Sequence, residues 1–342
     1  MEENKGSYKM SYDVAKAYFL TRTAPIGLEF TNQCSGRCTF CWYRHNTDDR
    51  SKGVMSRATL RQAIKRMDEY IKKPAIISIL TSHGDITMCN KFGAYLALLA
   101  SQRFCKGISF FTNAILLNRF DLGKLMKLPL HQVHFSFTVS EEQFKRLRGV
   151  DAYQQTLANI LEFARLNEAR WNRAVLSMLL ANDKPFNYQD ADYRKLLSAL
   201  GKKNIAIIEG WDDFNGLITI NDIPQGHGFN PNVQDKGIPC YGLFRKMKIL
   251  KDGEVAVCAV RVNPAFMIGN IFDYYSLRIL WNGAAHRELI ADWERGDLPV
   301  ICKTCTHYHP VIKSYESYSR QGSLFNRLIA GLKLRFKKRF IL

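Results

Sequence analysis

Apolar residues recur along the first two thirds of the chain as short runs separated by longer amphipathic stretches. The runs at 27–32, 75–81, 107–112, 132–138, 173–180 and 204–209 have the length of strands. The stretches at 56–73, 90–102, 119–127, 151–168 and 189–200 are predicted helices; the second carries Phe92, Leu96 and Leu99 at close to helical spacing. Strand and helix alternating in this rhythm predict βαβ units, a parallel sheet and right-handed crossovers, and six units fit an incomplete barrel. Residues 1–26 are mixed and polar and are expected to wrap the outside. Residues 210–239 are rich in Gly, Pro, Asn and Asp and read as loop, with a domain boundary inside them. Beyond them the apolar runs 247–250 and 254–257 flank Asp252-Gly253, a β-hairpin signal. A helix is predicted around 274–291 and a last one over 323–340. The expected division is a barrel over 1–215, a small domain over 216–312 and a tail over 313–342.

Composition narrows the class. The chain has 342 residues, 46% of them apolar, which is ample for a large core. Its formal charge of +18, from 49 basic and 31 acidic residues, favours anionic partners such as phosphates, nucleic acid or a membrane surface. The N-terminal MEENKGSYKM has no apolar signal region, and no apolar run approaches the roughly 18 residues of a membrane span. Nine clustered cysteines are a poor disulfide scaffold for a chain this long. They are expected to be reduced, in the cytoplasm, where clustered thiols suggest metal.

The cysteines fall into two sets. Cys34, Cys38 and Cys41 lie within eight residues, directly after the first predicted strand. Such a loop can aim three thiolates at one iron–sulfur cluster, leaving one of four irons open to a ligand that is not protein. A zinc site, with His45 as the fourth ligand, is the alternative. Cys240, Cys258, Cys302 and Cys305 form the second set, closing with a Cys-x2-Cys pair. Four thiolates suit a closed cluster or a zinc ion equally well. Cys105 reads as a small apolar filler. Cys89 follows the second predicted strand, where a thiol could return a hydrogen atom to a substrate radical or simply be inert.

Cys-x3-Cys-x2-Cys with an aromatic, Phe40, before the last cysteine resembles the signature loop of the radical S-adenosylmethionine (radical SAM) enzymes. The downstream pattern, a cysteine, Gly253 five positions before Cys258 and then Cys302-x2-Cys305, resembles the twitch domain, the short form of the SPASM extension. The resemblance implies a partial (βα)6 TIM-type barrel followed by a small domain of β-hairpin and helix. It also implies two 4Fe-4S clusters, one binding S-adenosyl-L-methionine (SAM) and one auxiliary. Several positions match the family's SAM-binding pattern. Gly84 and Asp85 match the end of a Gly-Gly-Glu-type stretch, with His83 replacing a glycine. Asn113 ends the third predicted strand, Ser136 lies on the fourth, and Arg148 precedes Gly149; these are candidates for the SAM ribose and carboxylate. Phe40 is expected near the adenine. Glu209 and Asp212, after the sixth predicted strand, are candidate bases for a substrate hydroxyl proton.

In short relatives of this layout the radical removes hydrogen from a carbinol carbon of an aminocyclitol or sugar, a base takes the hydroxyl proton and the auxiliary cluster accepts an electron. The expected reaction is such a dehydrogenation, on a sugar-like or glycolipid-like molecule. Epimerisation, peptide modification and, outside the enzymes, an iron–sulfur electron carrier remain open. The expected partners are a small-molecule substrate, anionic or lipid-linked forms included, and an electron donor such as flavodoxin or ferredoxin. From Arg320 to Leu342 seven basic residues meet no acid, and Leu324, Leu328, Leu332, Phe336 and Phe340 recur every four positions. That is a basic amphipathic helix, suited either to the inner membrane surface or to docking on the protein itself. Nucleic acid is disfavoured because no stacking aromatics are interleaved with the charge.

Overall fold

The computed structural model of the chain describes residues 3–45, 49–80, 83–258 and 262–317. Helix α1 (Glu3–Thr21) leads into strand β1 (Ile26–Leu28). There follow α2 (Arg57–Tyr70), β2 (Ala75–Ile79), α3 (Phe92–Ala100), β3 (Cys105–Thr112), α4 (Leu122–Met126) and β4 (Leu130–Phe137). Two helices, α5 (Glu141–Arg148) and α6 (Tyr153–Glu168), precede β5 (Val175–Leu180), and α7 (Ala191–Leu200) precedes β6 (Ile205–Ile207). The six strands pair in chain order and all in parallel, each after a helical crossover. The fold is thus an α/β partial barrel, and among the described residues β6 pairs only with β5.

Alternation along each strand sorts its side chains to two faces. Phe110 packs edge-on against Phe92 of α3 at 5.5 Å, and Phe135 against Phe163 of α6 at 5.6 Å. That face is therefore the helix-covered one. Ser109, Phe111, His134, Ser136, Ser177 and Leu179 alternate with these buried residues and so look into the barrel lumen.

The chain then forms the two-stranded ribbon β7 (Gly210–Trp211) with β8 (Gly228–Phe229), and α8 (Gly242–Arg245). The Asp252-Gly253 hairpin joins β9 (Met247–Ile249) to β10 (Glu254–Ala256), with Gly253 at φ +93° as the turn requires. Strand β11 (Met267–Asn270) adds antiparallel to β10. Helices α9 (Leu277–Trp281), α10 (Ala284–Arg295) and α11 (Val300–Lys303) complete the named elements. Strand β9 pairs in parallel with β1, so one sheet runs β11-β10-β9-β1-β2-β3-β4-β5-β6. The C-terminal hairpin thus occupies the barrel's first edge. The main apolar core extends from Phe19 of α1 through the barrel to Trp281 and Trp293.

Several features differ from the sequence-based expectation, among them the β7–β8 ribbon within the stretch expected to be loop. Residues 3–21 form a helix that packs inward: Ala15 and Phe19 are fully buried, and Phe19 meets Tyr241 at 5.2 Å. Helix α5 was not expected from periodicity; its signal lies in Glu141 and Glu142 in the first turn, basic residues in the last and Gly149 after it. Strand β11 was likewise unexpected. The single helix predicted at 274–291 is two, broken at Gly283, where a Cβ would stand 2.6 Å from the Ile279 carbonyl oxygen. The predicted helix at 323–340 lies outside the described residues. No helix among the described residues is long and apolar enough to cross a membrane.

Candidate functional site

The loop after β1 carries Cys34, Cys38 and Cys41 and is held on three sides. The Arg37 and Thr39 amides donate to the Arg148 and Leu147 carbonyls, each at 2.9 Å, so the loop caps the end of α5. Gly149 makes this approach possible: it sits at φ +66°, and a Cβ there would meet the Arg37 carbonyl at 2.7 Å. On another side the Asp85 amide donates to the Gln33 carbonyl at 2.7 Å. Gly84 lies so close that a Cβ would stand 2.3 Å from the same oxygen. Tyr43 accepts from the Cys34 amide at 3.1 Å.

The three thiols sense one another. Burial, the nearby Asp85 carboxylate and then Cys38 push the Cys34 thiol well up. Burial and Cys38 push Cys41 to about 12, against a counter-pull from the Arg148 guanidinium. Crowded thiols that resist ionisation alone are what a cationic cluster core would deprotonate.

Asp85 is buried and ties the ends of two strands together. Its Oδ1 accepts from the Thr87 amide at 3.0 Å, the Thr87 hydroxyl and the Thr112 hydroxyl at 3.1 Å; its Oδ2 accepts from the Asn113 amide at 2.6 Å. Burial raises its pKa, and these donors oppose the rise. The Asn113 side chain reaches the cluster loop, donating to Ser35 Oγ at 3.2 Å and standing 3.7 Å from Cys34 Sγ. Arg148 is also buried. Its guanidinium donates to Thr138 Oγ1 at 2.9 Å, Ser136 Oγ at 3.0 Å and the Phe137 carbonyl. It lies 3.9 Å from Cys38 Sγ and 5.1 Å above the Phe40 ring. Phe40 in turn packs on Trp211 at 4.7 Å. Phe40, Gly84, Asp85, Asn113, Ser136 and Arg148 are therefore gathered around the one loop.

Below them the lumen holds a group that sequence reasoning missed. His134 precedes Ser136 by two residues on β4, so it sits on the same face, about 7 Å deeper. Its ring stacks on Phe111 at 4.0 Å, and its Nδ1 is 2.5 Å from Ser177 Oγ on the neighbouring strand. Burial lowers its pKa and so favours neutral imidazole. In the sequence His134 looked like one more member of a strand run.

The three expected catalytic residues have surroundings of their own. Glu209 is exposed and pairs with Lys184, which lowers its pKa. Asp212 is buried but faces the second cysteine set: it accepts from Thr306 Oγ1 at 3.0 Å and stands 3.3 Å from His307 Nε2. Cys89 is fully buried in the main apolar core, its thiol pushed up to about 11 by that burial. Its sulfur does not reach the lumen, because it has no exposed surface.

Cys240, Cys258, Cys302 and Cys305 line one cavity of about 240 Å³ between α8, the end of the hairpin and α11. Burial raises Cys240 to about 11 and Cys302 further, and the other thiols of the set add to both. Cys258 adopts φ +70°, and its amide donates to the Gly242 carbonyl at 3.1 Å. Among the described residues no three His, Cys, Asp or Glu side chains converge as ligands of a single metal ion. The four cysteines line one volume, in which a multi-iron cluster would find four thiolate ligands. Next to them lies Lys236, also unforeseen, whose Nζ donates to the Cys302 carbonyl at 3.0 Å and the Lys303 carbonyl at 2.6 Å.

Comparison with known proteins agrees with this layout. The family model for the radical SAM superfamily matches residues 28–180, and that for the SPASM iron–sulfur cluster-binding domain matches 240–306. No curated protein sequence matches the chain. Among solved structures, BtrN in complex with AdoMet and 2-DOIA is similar at 13% identity and a TM-score of 0.52, over 83% of this chain and 93% of that one. The anSMEcpe enzyme with bound AdoMet and Cp18Cys peptide is similar at 14% and 0.56, over 90% and 98%. Streptococcus suis SuiB bound to precursor peptide SuiA is similar at 14% and 0.56, over 91% and 77%. At these identities the likeness is one of fold. With both family models matched around the two cysteine sets, the chain belongs to the radical SAM superfamily with a SPASM-type domain, and its cofactors are SAM, a SAM-binding 4Fe-4S cluster and an auxiliary iron–sulfur cluster.

Proposed function

We propose that this enzyme dehydrogenates a hydroxyl-bearing small molecule, sugar-like or glycolipid-like, held in the barrel lumen. The observation that carries the reading is the lumen wall itself: Ser109, Gln132, His134, Ser136 and Ser177 lie beside the exposed ring of Phe111. Serine hydroxyls, an amide and an imidazole suit a ligand with several hydroxyl groups, and an aromatic face suits the C–H side of a saturated ring.

When bound, SAM and the two clusters supply a 5′-deoxyadenosyl radical that takes a hydrogen atom from carbon, and an acceptor for the electron left behind. Cys34, Cys38 and Cys41 hold the first cluster; Cys240, Cys258, Cys302 and Cys305 hold the second. Arg148, fixed by Thr138 and Ser136, offers its fork to the SAM carboxylate. Asp85, which accepts from both its own loop and the end of β3, acts by setting the position of Asn113 beside the cluster loop, with Gly84 permitting the close approach. Phe40 offers its ring to the adenine.

His134 replaces Glu209 and Asp212 as the base. With Nδ1–H given to Ser177 Oγ, Nε2 keeps its lone pair for the substrate hydroxyl. The hydroxyl then loses its proton to His134 while its carbon loses a hydrogen atom and one electron, which leaves a ketone. An external one-electron donor of the flavodoxin or ferredoxin type belongs to the proposal, as does contact of the C-terminal basic segment with an anionic membrane.

The test is anaerobic turnover with aminocyclitols, hexoses and nucleotide sugars deuterated at their carbinol carbons. Deuterium in 5′-deoxyadenosine together with a product two hydrogens lighter is expected. A product of unchanged mass would make the enzyme an epimerase, and turnover confined to peptides would overturn the reading.

A further inference from the structure

Lys236 is the buried cation that the site described so far leaves without a purpose. It lies in the loop before Cys240, with about a twentieth of its surface exposed. Its ammonium donates to Asn232 Oδ1 at 2.7 Å, the Cys302 carbonyl at 3.0 Å and the Lys303 carbonyl at 2.6 Å. Its Nζ also stands 5.9 Å from the centre of the Tyr308 ring. The backbone is anchored too: Trp293 Nε1 donates to the Lys236 carbonyl at 2.6 Å.

All the acceptors are neutral. Among the described residues no carboxylate pairs with this ammonium; burial works against its charge, and Cys305, Cys302 and Cys240 work for it. The contrast with Lys248, a fully buried lysine near the set, is informative. Lys248 lies near Cys258 but also near the carboxylate of Glu29. A buried ammonium with no counter-charge is costly and is normally paired. Four thiolates around an iron–sulfur core carry net negative charge, and three of the four cysteines here are the electrostatic neighbours of Lys236. The cavity that the four cysteines line together with Arg245 would hold such an anion, and Lys236 stands behind its Cys302 wall, bonded to the Cys302 carbonyl.

We propose that Lys236 is a positioning and potential-setting residue of the auxiliary cluster. Its hydrogen bonds to the Cys302 and Lys303 carbonyls fix the turn that carries Cys302 towards Cys305, and its charge favours the reduced, more negative state of the cluster. That such a cluster serves as the electron acceptor rests on the function proposed above; the effect on its potential does not.

The experiment uses reconstituted, full-length holoenzyme with SAM added, so that the EPR signal of the SAM-binding cluster is displaced from that of the auxiliary one. Redox titration of the auxiliary signal is compared for wild type, Lys236→Met and Lys236→Arg, with iron counted in each. In Lys236→Met, with iron near eight per chain, the reduction equilibrium should fall about tenfold, a shift of about 59 mV to more negative potential for a one-electron couple. Lys236→Arg, which keeps the charge, should stay near wild type. If Lys236→Met loses the auxiliary iron while Lys236→Arg keeps both iron and potential, the charge is needed to hold the cluster and the proposal stands. A fully loaded Lys236→Met with the wild-type potential overturns it. So does loss of the auxiliary iron from both variants, which would make the side chain a matter of packing alone. Substrate turnover enters none of these readouts, so failure of the dehydrogenase reading would be seen separately.

Discussion

At the scale of single residues, two contacts make claims that substitution can check. Gly84 has no room for a side chain, since a Cβ would stand 2.3 Å from the Gln33 carbonyl oxygen. Backbone cannot give way as a flexible side chain can. Gly84→Ala should therefore cost about 1–3 kcal/mol of stability and weaken SAM binding. Thermal unfolding and the SAM-induced change in the cluster's EPR spectrum are the checks, and an unchanged variant would remove Gly84 from the site. His134 makes a second claim, about pH. Burial holds its pKa below the ordinary 6.5, so the base is neutral at and above that pH. Its flanking partners, Phe111 and Ser177, carry no charge, and one layer above it the Arg148 cation donates to Ser136. Protonation as pH falls through the lowered pKa should switch the base off. The acid limb of kcat/KM should thus lie below about pH 6.5 and vanish in His134→Gln along with most of the rate. An acid limb that survives the substitution would assign the base elsewhere.

Elements were more legible in the chain than the residues that matter chemically. The six barrel strands stand out because each is a short apolar run, and their order follows from the parallel crossovers. The grouping of the cysteines into two sets is written in their spacing. His134 and Lys236 are not legible in this way. One is a polar residue in a strand, the other a lysine in a Gly- and Pro-rich loop, and both gain meaning only from Ser177 and Cys302, far off in sequence. Helix α5 lies between these cases, because its charges and terminal glycine mark it while its short apolar stripe does not. Its function is to end where the cluster loop needs two carbonyl acceptors. Gly149→Ala should break that arrangement, because the residue sits at φ +66° with the Arg37 carbonyl 2.7 Å from the new Cβ. The expected result is selective: iron falling from about eight to about four per chain, with the auxiliary EPR signal kept. Equal loss of both clusters would show that the damage spreads beyond the loop.

On the scale of the whole molecule, the pairing of β9 with β1 joins the barrel to the C-terminal hairpin, and Glu29 is the polar centre of that joint. It follows β1 directly and is fully buried. Its two oxygens accept from the Arg50 guanidinium at 2.7 and 3.1 Å, and one accepts from the Lys251 amide of the hairpin turn at 3.2 Å. Arg50 also stands 3.7 Å from Asp252 in the same turn. One carboxylate therefore couples the strand that feeds the first cysteine loop to the hairpin that delivers Cys258. Glu29→Ala would remove the anion and leave Arg50 largely buried beside an emptied site. Breaking a buried pair from one side costs about 3–5 kcal/mol, far more than a surface ion pair is worth. The variant should melt at clearly lower temperature, and because Glu29 lies between the two cysteine sets rather than within either, both clusters should load poorly and in parallel. That pattern separates a structural joint from a local ligand effect. Loss of one cluster alone, or an unchanged melting temperature, would mean that the hairpin and the barrel hold together without this carboxylate.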